Sequence, residues 1–225
     1  MPTHLEREIE RLKRKILSLS ALVEDSVRRS VRALAERDAG GARHVIEIDD
    51  RQTNDMEVDI EEDCLKILAL YQPVAIDLRF IISVLKINSD LERIADLAVN
   101  IAERALFLSE EDPLDLPIRF DNMAQKAQAM LKSALDALVN MDSELAREVW
   151  AADDEVDAIN REMYARIQAG ILERPSRVDS LMHLLAVSRH LERIADHATN
   201  IAEDVVYMVD GEIVRHRSTD FKSQI

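Results

Sequence analysis

Glu92 and Asp96 stand four residues apart in the stretch LERIADLAVNIAE, Leu91 to Glu103. One hundred residues later Glu192 and Asp196 repeat the spacing in LERIADHATNIAE, Leu191 to Glu203, and only two of the thirteen positions differ. On a helix, residues i and i+4 share a face, so each pair sets two like charges side by side at a cost of about 0.2–0.5 kcal/mol. A pattern that is unfavourable alone and yet occurs twice points to something positive over each face. The candidates are a neighbouring arginine such as Arg93 or Arg193, a bound cation, or a basic partner surface. A second acidic set accompanies the first: in DDRQTN and DDEVD, register pairs Asp50 and Asn54 with Asp153 and Asp157, again four apart. An antiparallel neighbouring helix would bring each of these pairs against the third-helix pair. Four oxygen side chains facing one another is the donor chemistry of a hard cation or of iron. The competing reading is a solvated acidic face in a chain rich in Asp and Glu.

Other chemistry is excluded more firmly. The four glycines, Gly40, Gly41, Gly170 and Gly211, form no phosphate-cradling loop, so no nucleotide or organic cofactor is expected. No HExxH occurs, and no Glu has a His three residues later, which removes the Glu-x-x-His pairs of di-iron bundles. Cys64 is the only cysteine, which excludes an internal disulfide framework and gives no case for nucleophilic catalysis. His183, His190 and His197 recur at seven residues, a rise of about 10.5 Å, too far for two of them to share one ion. Packing or surface roles suit them better. The formal charge of -15 argues against nucleic acid as a partner, because that binding needs Lys and Arg to replace counterions. No run of eighteen uncharged apolar residues follows anywhere, and no basic-plus-apolar leader follows Met1, so the expectation is a cytoplasmic protein without a membrane span.

The elements that must position these acids are helices. Glycine and proline are sparse, hydrophobic residues make up 47% of the chain, and apolar residues recur at three and four. The periodicity predicts six helices: about 3–38, then to Tyr71 before Pro73, about 74–108, about 118–140, from Asp142 or Ser143 as cap to Glu173, and about 177–209. Residues 109–117, SEEDPLDLP, read as an acidic linker, since the residue before proline resists helix. The expected organisation is thus all-α, two pseudo-symmetric three-helix bundles over 1–108 and 118–210, with a tail over 211–225 that lacks apolar periodicity. Leu91, Ile94, Ala95, Ala98, Ile101, Ala102 and Ala105 form the core stripe of the third helix, with Glu92, Asp96, Asn100 and Glu103 on nearly the opposite face. Long amphipathic helices of this kind also leave homodimerisation open.

The doubled ERIAD followed by NIAE, on the third helix of each triplet, resembles the PhoU family of phosphate-uptake regulators. The segment MEVDIEEDCLKILALYQPVAIDLR, Met56 to Arg79, with its Gln72-Pro73 break, is similar to that family's first half. The resemblance implies a non-enzymatic regulator of phosphate homeostasis. It would work between a phosphate ABC transporter, through its ATPase, and a sensor histidine kinase, at the inner face of the membrane, keeping the starvation response off. It also implies iron or zinc clusters on the paired acids: Glu92, Asp96, Asp50 and Asn54 in the first half, and Glu192, Asp196, Asp153 and Asp157 in the second. Because Asn54 is uncharged where Asp157 is charged, the first site is expected to bind more weakly.

Overall fold

The computed structural model describes residues 4–113 and 120–214, and every regular element among them is helical. Helix α1 (His4–Glu36) turns into a rod made of α2 (Ala39–His44), a π-helical turn (Val45–Asp49) and α3 (Asp50–Tyr71). Helix α4 (Ala75–Glu110) completes the first triplet. The second consists of α5 (Asp121–Asn140), α6 (Ser143–Glu173), a 3-10 turn (Pro175–Arg177) and α7 (Val178–Asp210). The chain therefore builds the expected all-α arrangement of six rods in two triplets, with the repeated motif on the third rod of each. Helix α4 runs two residues into the stretch read as linker; residues 114–117 of that stretch and 215–225 of the tail lie outside the described residues.

Local chemistry sets the rod ends. The Asp38 side chain accepts the Gly40 N–H, and Asp142 accepts the N–H groups of Glu144 and Leu145, satisfying donors that the first helical turn leaves open. At the far end of α7, Gly211 takes φ +77°, and a Cβ there would come within 3.2 Å of Arg79 Nη1. This position suits glycine on both counts.

The two triplets share one continuous core. Its spine is the antiparallel seam of α4 and α7, the most extensive helix contact among the described elements. Leu91, Ile94, Ala98 and Ile101 are buried there with Leu191, Ile194, Ala198 and Ile201, and the alanines let the backbones approach closely. Polar contacts mark the register along the seam: Lys86 Nζ lies 3.0 Å from Asp204, His197 Nδ1 lies 2.8 Å from Asp90, and Phe107 stacks on His183 at 3.8 Å. A pseudo-twofold that exchanges position n with n+100 runs through this seam, so each triplet presents its second rod to the outer flank of its third.

The π-helical turn is the main departure from the sequence expectation. One residue inserted into the helical repeat rotates Asp49 inward. There it is 2% exposed, with Arg29 Nη1 donating to both carboxylate oxygens at 2.7 and 2.6 Å and Ser26 Oγ donating at 3.1 Å. Hydropathy periodicity has no term for such an insertion, because a buried ion pair and a solvated one contribute the same letters.

Candidate functional site

Each triplet gathers acids along the groove between its second and third rods. In the first, α3 supplies Asp50, Asn54 and Glu57, and α4 supplies Glu92 and Asp96. The Asp50 carboxyl is pushed above its ordinary range by burial and then by the charge of Asp96, while the Asn54 amide, donating at 3.4 Å, pulls the other way. Glu57 is pushed up by burial and by Glu61. Burial raises Glu92 as well, with Asp96 and Glu57 adding to the shift and Arg93 opposing it. In the second triplet Glu192 is raised by burial and then by Asp157 and Asp153, against Arg189 and Arg193. Asp196 is raised by partial desolvation and by Glu192 and Asp157. The antiparallel packing thus does bring the middle-rod acids against the third-rod pairs in both halves.

The acids sit on the flank of the third rod, not opposite its core stripe. Glu92 and Asp96 side chains are 26% and 43% exposed, and Arg93 reaches both, at 3.5 and 3.6 Å. In the second half Arg161 lies 3.6 Å from Asp157. A neighbouring arginine therefore meets part of the charge, as one of the three sequence readings held, while Glu92, Glu192 and Asp196 stay raised by burial and then by the carboxylates beside them.

Sequence reasoning missed Glu57, and with it a compensation. Residues of the middle rods correspond at an offset of 103, so Asp50 matches Asp153, Asn54 matches Asp157, and Glu57 matches Asn160. The first half exchanges an acid at 54 for one at 57, and each groove carries four carboxylates and one amide. The same pair of positions forms a pseudo-symmetric link between rods. Asn88 Nδ2 donates to the Glu57 carbonyl at 3.0 Å, and Ser188 Oγ donates to Asn160 Oδ1 at 2.6 Å. The available signal was the spacing: Glu57 lies seven residues after Asp50, two turns along the same face.

All-oxygen donors suit a hard cation or iron better than zinc, which favours nitrogen and sulfur. Among the described residues, however, no three His, Cys, Asp or Glu side chains stand close enough together to hold a metal ion. The carboxylates are spread along the groove and partly engaged by arginine, so no step is built on a metal here.

The histidines of the heptad all face the α4–α7 seam. His183 stacks on Phe107, and His197 bonds Asp90, which also accepts from Asn200 Nδ2 at 3.2 Å. His190 is pushed down to about 4 by burial and by the charges of Arg104, Arg193 and Arg189, so it is neutral at physiological pH. Cys64 is buried and its thiol pushed up to about 12, chiefly by burial, which leaves it inert as a nucleophile.

The arrangement of two helical triplets is matched by known proteins. A profile described as the PhoU domain matches residues 16–105 and again 120–205. The chain belongs to the PhoU family. A phosphate-specific transport system accessory protein PhoU homolog of Aquifex aeolicus is 39% identical over 98% of this chain and 99% of its own length. A homolog of the same description from Pseudomonas aeruginosa is 40% identical over 93% of this chain and 86% of its own length. Among solved structures, the crystal structure of PhoU from Pseudomonas aeruginosa superposes with a TM-score of 0.87 at 39% identity, covering 92% of this chain and 99% of the other. The phosphate transport system regulatory protein PhoU from Streptococcus pneumoniae gives 0.83 at 30% identity, over 94% and 99%. The two PhoU domains correspond to the two triplets, each with its own acidic groove.

Proposed function

We propose that the chain is an accessory regulator of phosphate uptake that couples a phosphate ABC transporter, through its ATPase, to a sensor histidine kinase. It holds the starvation response off while phosphate is plentiful. The observation that carries this reading is near full-length similarity, at 39–40% identity, to proteins described as phosphate-specific transport system accessory proteins. The reading places the chain in the cytoplasm beside those partners; no described helix is long and apolar enough to cross a membrane. The two acidic grooves give the adaptor two like sites for basic partner surfaces, whose cations would relieve carboxyls now held close to one another. Coupling requires that partner contact differ between two states of the assembly, with phosphate sensed in the partners.

The test is a phosphate-starvation promoter reporter in cells lacking the gene, grown in abundant phosphate. The reporter is expected to switch on and to be silenced by the intact gene. It should stay on with Glu92→Gln, Asp96→Asn, Glu192→Gln and Asp196→Asn combined. A reporter that stays silent in the deletion strain refutes the adaptor reading.

A second reading is cation binding along the two grooves, where Glu92 and Glu192 are raised by burial and then by neighbouring carboxylates; it requires the groove side chains to draw together around the ion, since no three described donors stand close enough to hold one. Iron is the better candidate on donor chemistry, and zinc the poorer. Metal analysis of protein purified without affinity tags decides it: stoichiometric iron lost in the same quadruple variant supports this reading, and metal that survives the substitutions sinks it.

A further inference from the structure

The half-turn that relates the two triplets pairs Asp90 with His190, Asp204 with Arg104, Lys86 with Ala186 and Ser89 with Arg189, so the two ends of the α4–α7 seam differ in charge. One end is closed on itself: Lys86 meets Asp204, Asp90 meets His197 and Asn200, and Arg93, the counterpart of Arg193, reaches Glu92 and Asp96. At the other end nothing answers the cations. Arg104, Arg189 and Arg193 form no hydrogen bond or ion pair among the described residues, and neither ring nitrogen of His190 has a partner although both are out of contact with water. A neutral imidazole carries one N–H donor, so this ring holds a donor that faces no acceptor.

Geometry brings the three arginines around that ring. Asp90 meets Asn200, so the half-turn sets His190 level with Asn100. Side chains on a helix lean toward its N-terminus, and on these antiparallel helices Arg104 therefore leans toward that level from one side and Arg193 from the other. All three arginines act electrostatically on His190, and no carboxylate is among the charges that do. Acids stand around this centre, not in it. On the α6 flank Glu192 feels Arg189 and Arg193, and Asp196 feels Arg193, yet neither pairs with them; Asp157 beyond them is met by Arg161. On the other flank Glu103 lies about 100° round α4 from Arg104, beside Arg43 and Glu47 by register. Toward the end of the seam Glu111 and Asp179 act on His183, and there Arg37 and Arg177 hold the carbonyls of Glu111 and Asp112.

Charge and size together select the occupant. A large acidic partner would bring its charge against Glu103, Glu192 and Asp196 at the flanks, whereas a small anion reaches the guanidiniums alone. A single carboxylate would leave most of three cations unanswered; a tetrahedral dianion offers several oxygens to the guanidinium forks and an acceptor to the imidazole N–H. We propose that Arg104, Arg189 and Arg193, gathered about His190 on the α4–α7 seam, form a binding site for a small oxyanion of the phosphate class. The site is separate from the acidic grooves and does not rest on the adaptor reading. That reading leaves phosphate sensing to the partners, and occupancy here would bring part of it into the chain itself.

The experiment titrates inorganic phosphate into the full chain at constant ionic strength, followed by calorimetry and by the ring-proton resonances of His190, assigned with His190→Gln. Arg104→Gln with Arg189→Gln is compared with Arg51→Gln with Lys66→Gln, which removes as much positive charge from exposed positions elsewhere. Circular dichroism checks each fold, and Arg189→Gln alone stands in for the first pair if that pair does not fold. The site is supported by saturable binding of one phosphate, a His190 resonance that moves with the same midpoint, and a loss of at least about tenfold in the first pair against less than about twofold in the second. It is overturned by no saturable binding at millimolar phosphate, by a His190 resonance that ignores phosphate, by equal weakening in the two pairs, or by chloride competing at the same concentration. Each of these leaves the adaptor reading standing.

Discussion

Where the first triplet buries Asp49, the second has Ala152. Asp49 reaches Arg29 of α1 through the π-helical turn and adds Ser26 and, at 3.3 Å, His44. Around Ala152 the second triplet runs as unbroken α-helix and leaves a groove of about 250 Å³ between α5 and α6, floored by Met130 and Val149 and rimmed by Lys126 and Glu155. One frame is thus closed by a buried ion pair that distorts a helix, the other by small residues that leave the helix regular. The acidic grooves show the reverse: Glu57 in one and Asp157 in the other keep the carboxylate count equal although the residues moved. The pseudo-symmetry is held in the acidic grooves and along the apolar core of the α4–α7 seam, and relaxed where the first and second rods of each triplet meet.

The largest test of that contrast is Asp49→Ala, which makes the first triplet like the second. It leaves Arg29, 32% exposed, with Asp25 at 2.8 Å as its remaining carboxylate, and a loss of about 2–3 kcal/mol is expected in denaturant unfolding. A loss under about 1 kcal/mol would show that the π-helical turn does not depend on the pair. Asp204→Ala addresses the seam: Asp204 is 1% exposed but Lys86, at 35%, can turn to water, so about 1–3 kcal/mol is expected.

The grooves give a pH test. Raised carboxyls bind protons more readily folded than unfolded, so their favourable contribution is complete below the ordinary values of 3.8 and 4.5 and is lost as pH rises through the raised values. From these groups stability should therefore increase as pH falls from neutral toward the carboxylate range. Asp50, Glu57 and Glu92 are raised in the first groove against Glu192 and Asp196 in the second. Glu57→Gln with Glu92→Gln should accordingly flatten the pH dependence of melting more than Glu192→Gln does. Equal flattening would mean that the second groove is as strongly coupled as the first. The smallest effect concerns the turns, where Gln72 takes φ 46° and Arg174 φ -134°. Gln72→Gly should stabilise by about 0.5 kcal/mol, the relief of left-handed strain less the added freedom of the unfolded chain, while Arg174→Gly should stabilise nothing.

Much of this was legible before the fold was known. Glu92, Asp96, Glu192 and Asp196 announced themselves because like charges repeated at helical spacing are locally unfavourable. Asp50, Asn54, Asp153 and Asp157 followed from register alone. Glu57 escaped because it occupies a different turn from its functional counterpart, so aligning the halves letter by letter reads it as the equivalent of Asn160. The expected weakness of the first groove drew on Asn54 without that compensation.

By itself the sequence determined the helices, their ends and their pairing in two triplets, since those depend on the 3.6-residue period, on Asp38, Asp142 and Gly211 at the caps, and on Pro73 and Pro175 at the turns. Tertiary structure alone decided which charges face inward. Whether Asp49 is clamped by Arg29, whether Glu57 joins Glu92, and whether Arg104 reaches His190 all depend on where a neighbouring rod lies. Those positions are set by the packing of the α4–α7 seam, which no local pattern encodes.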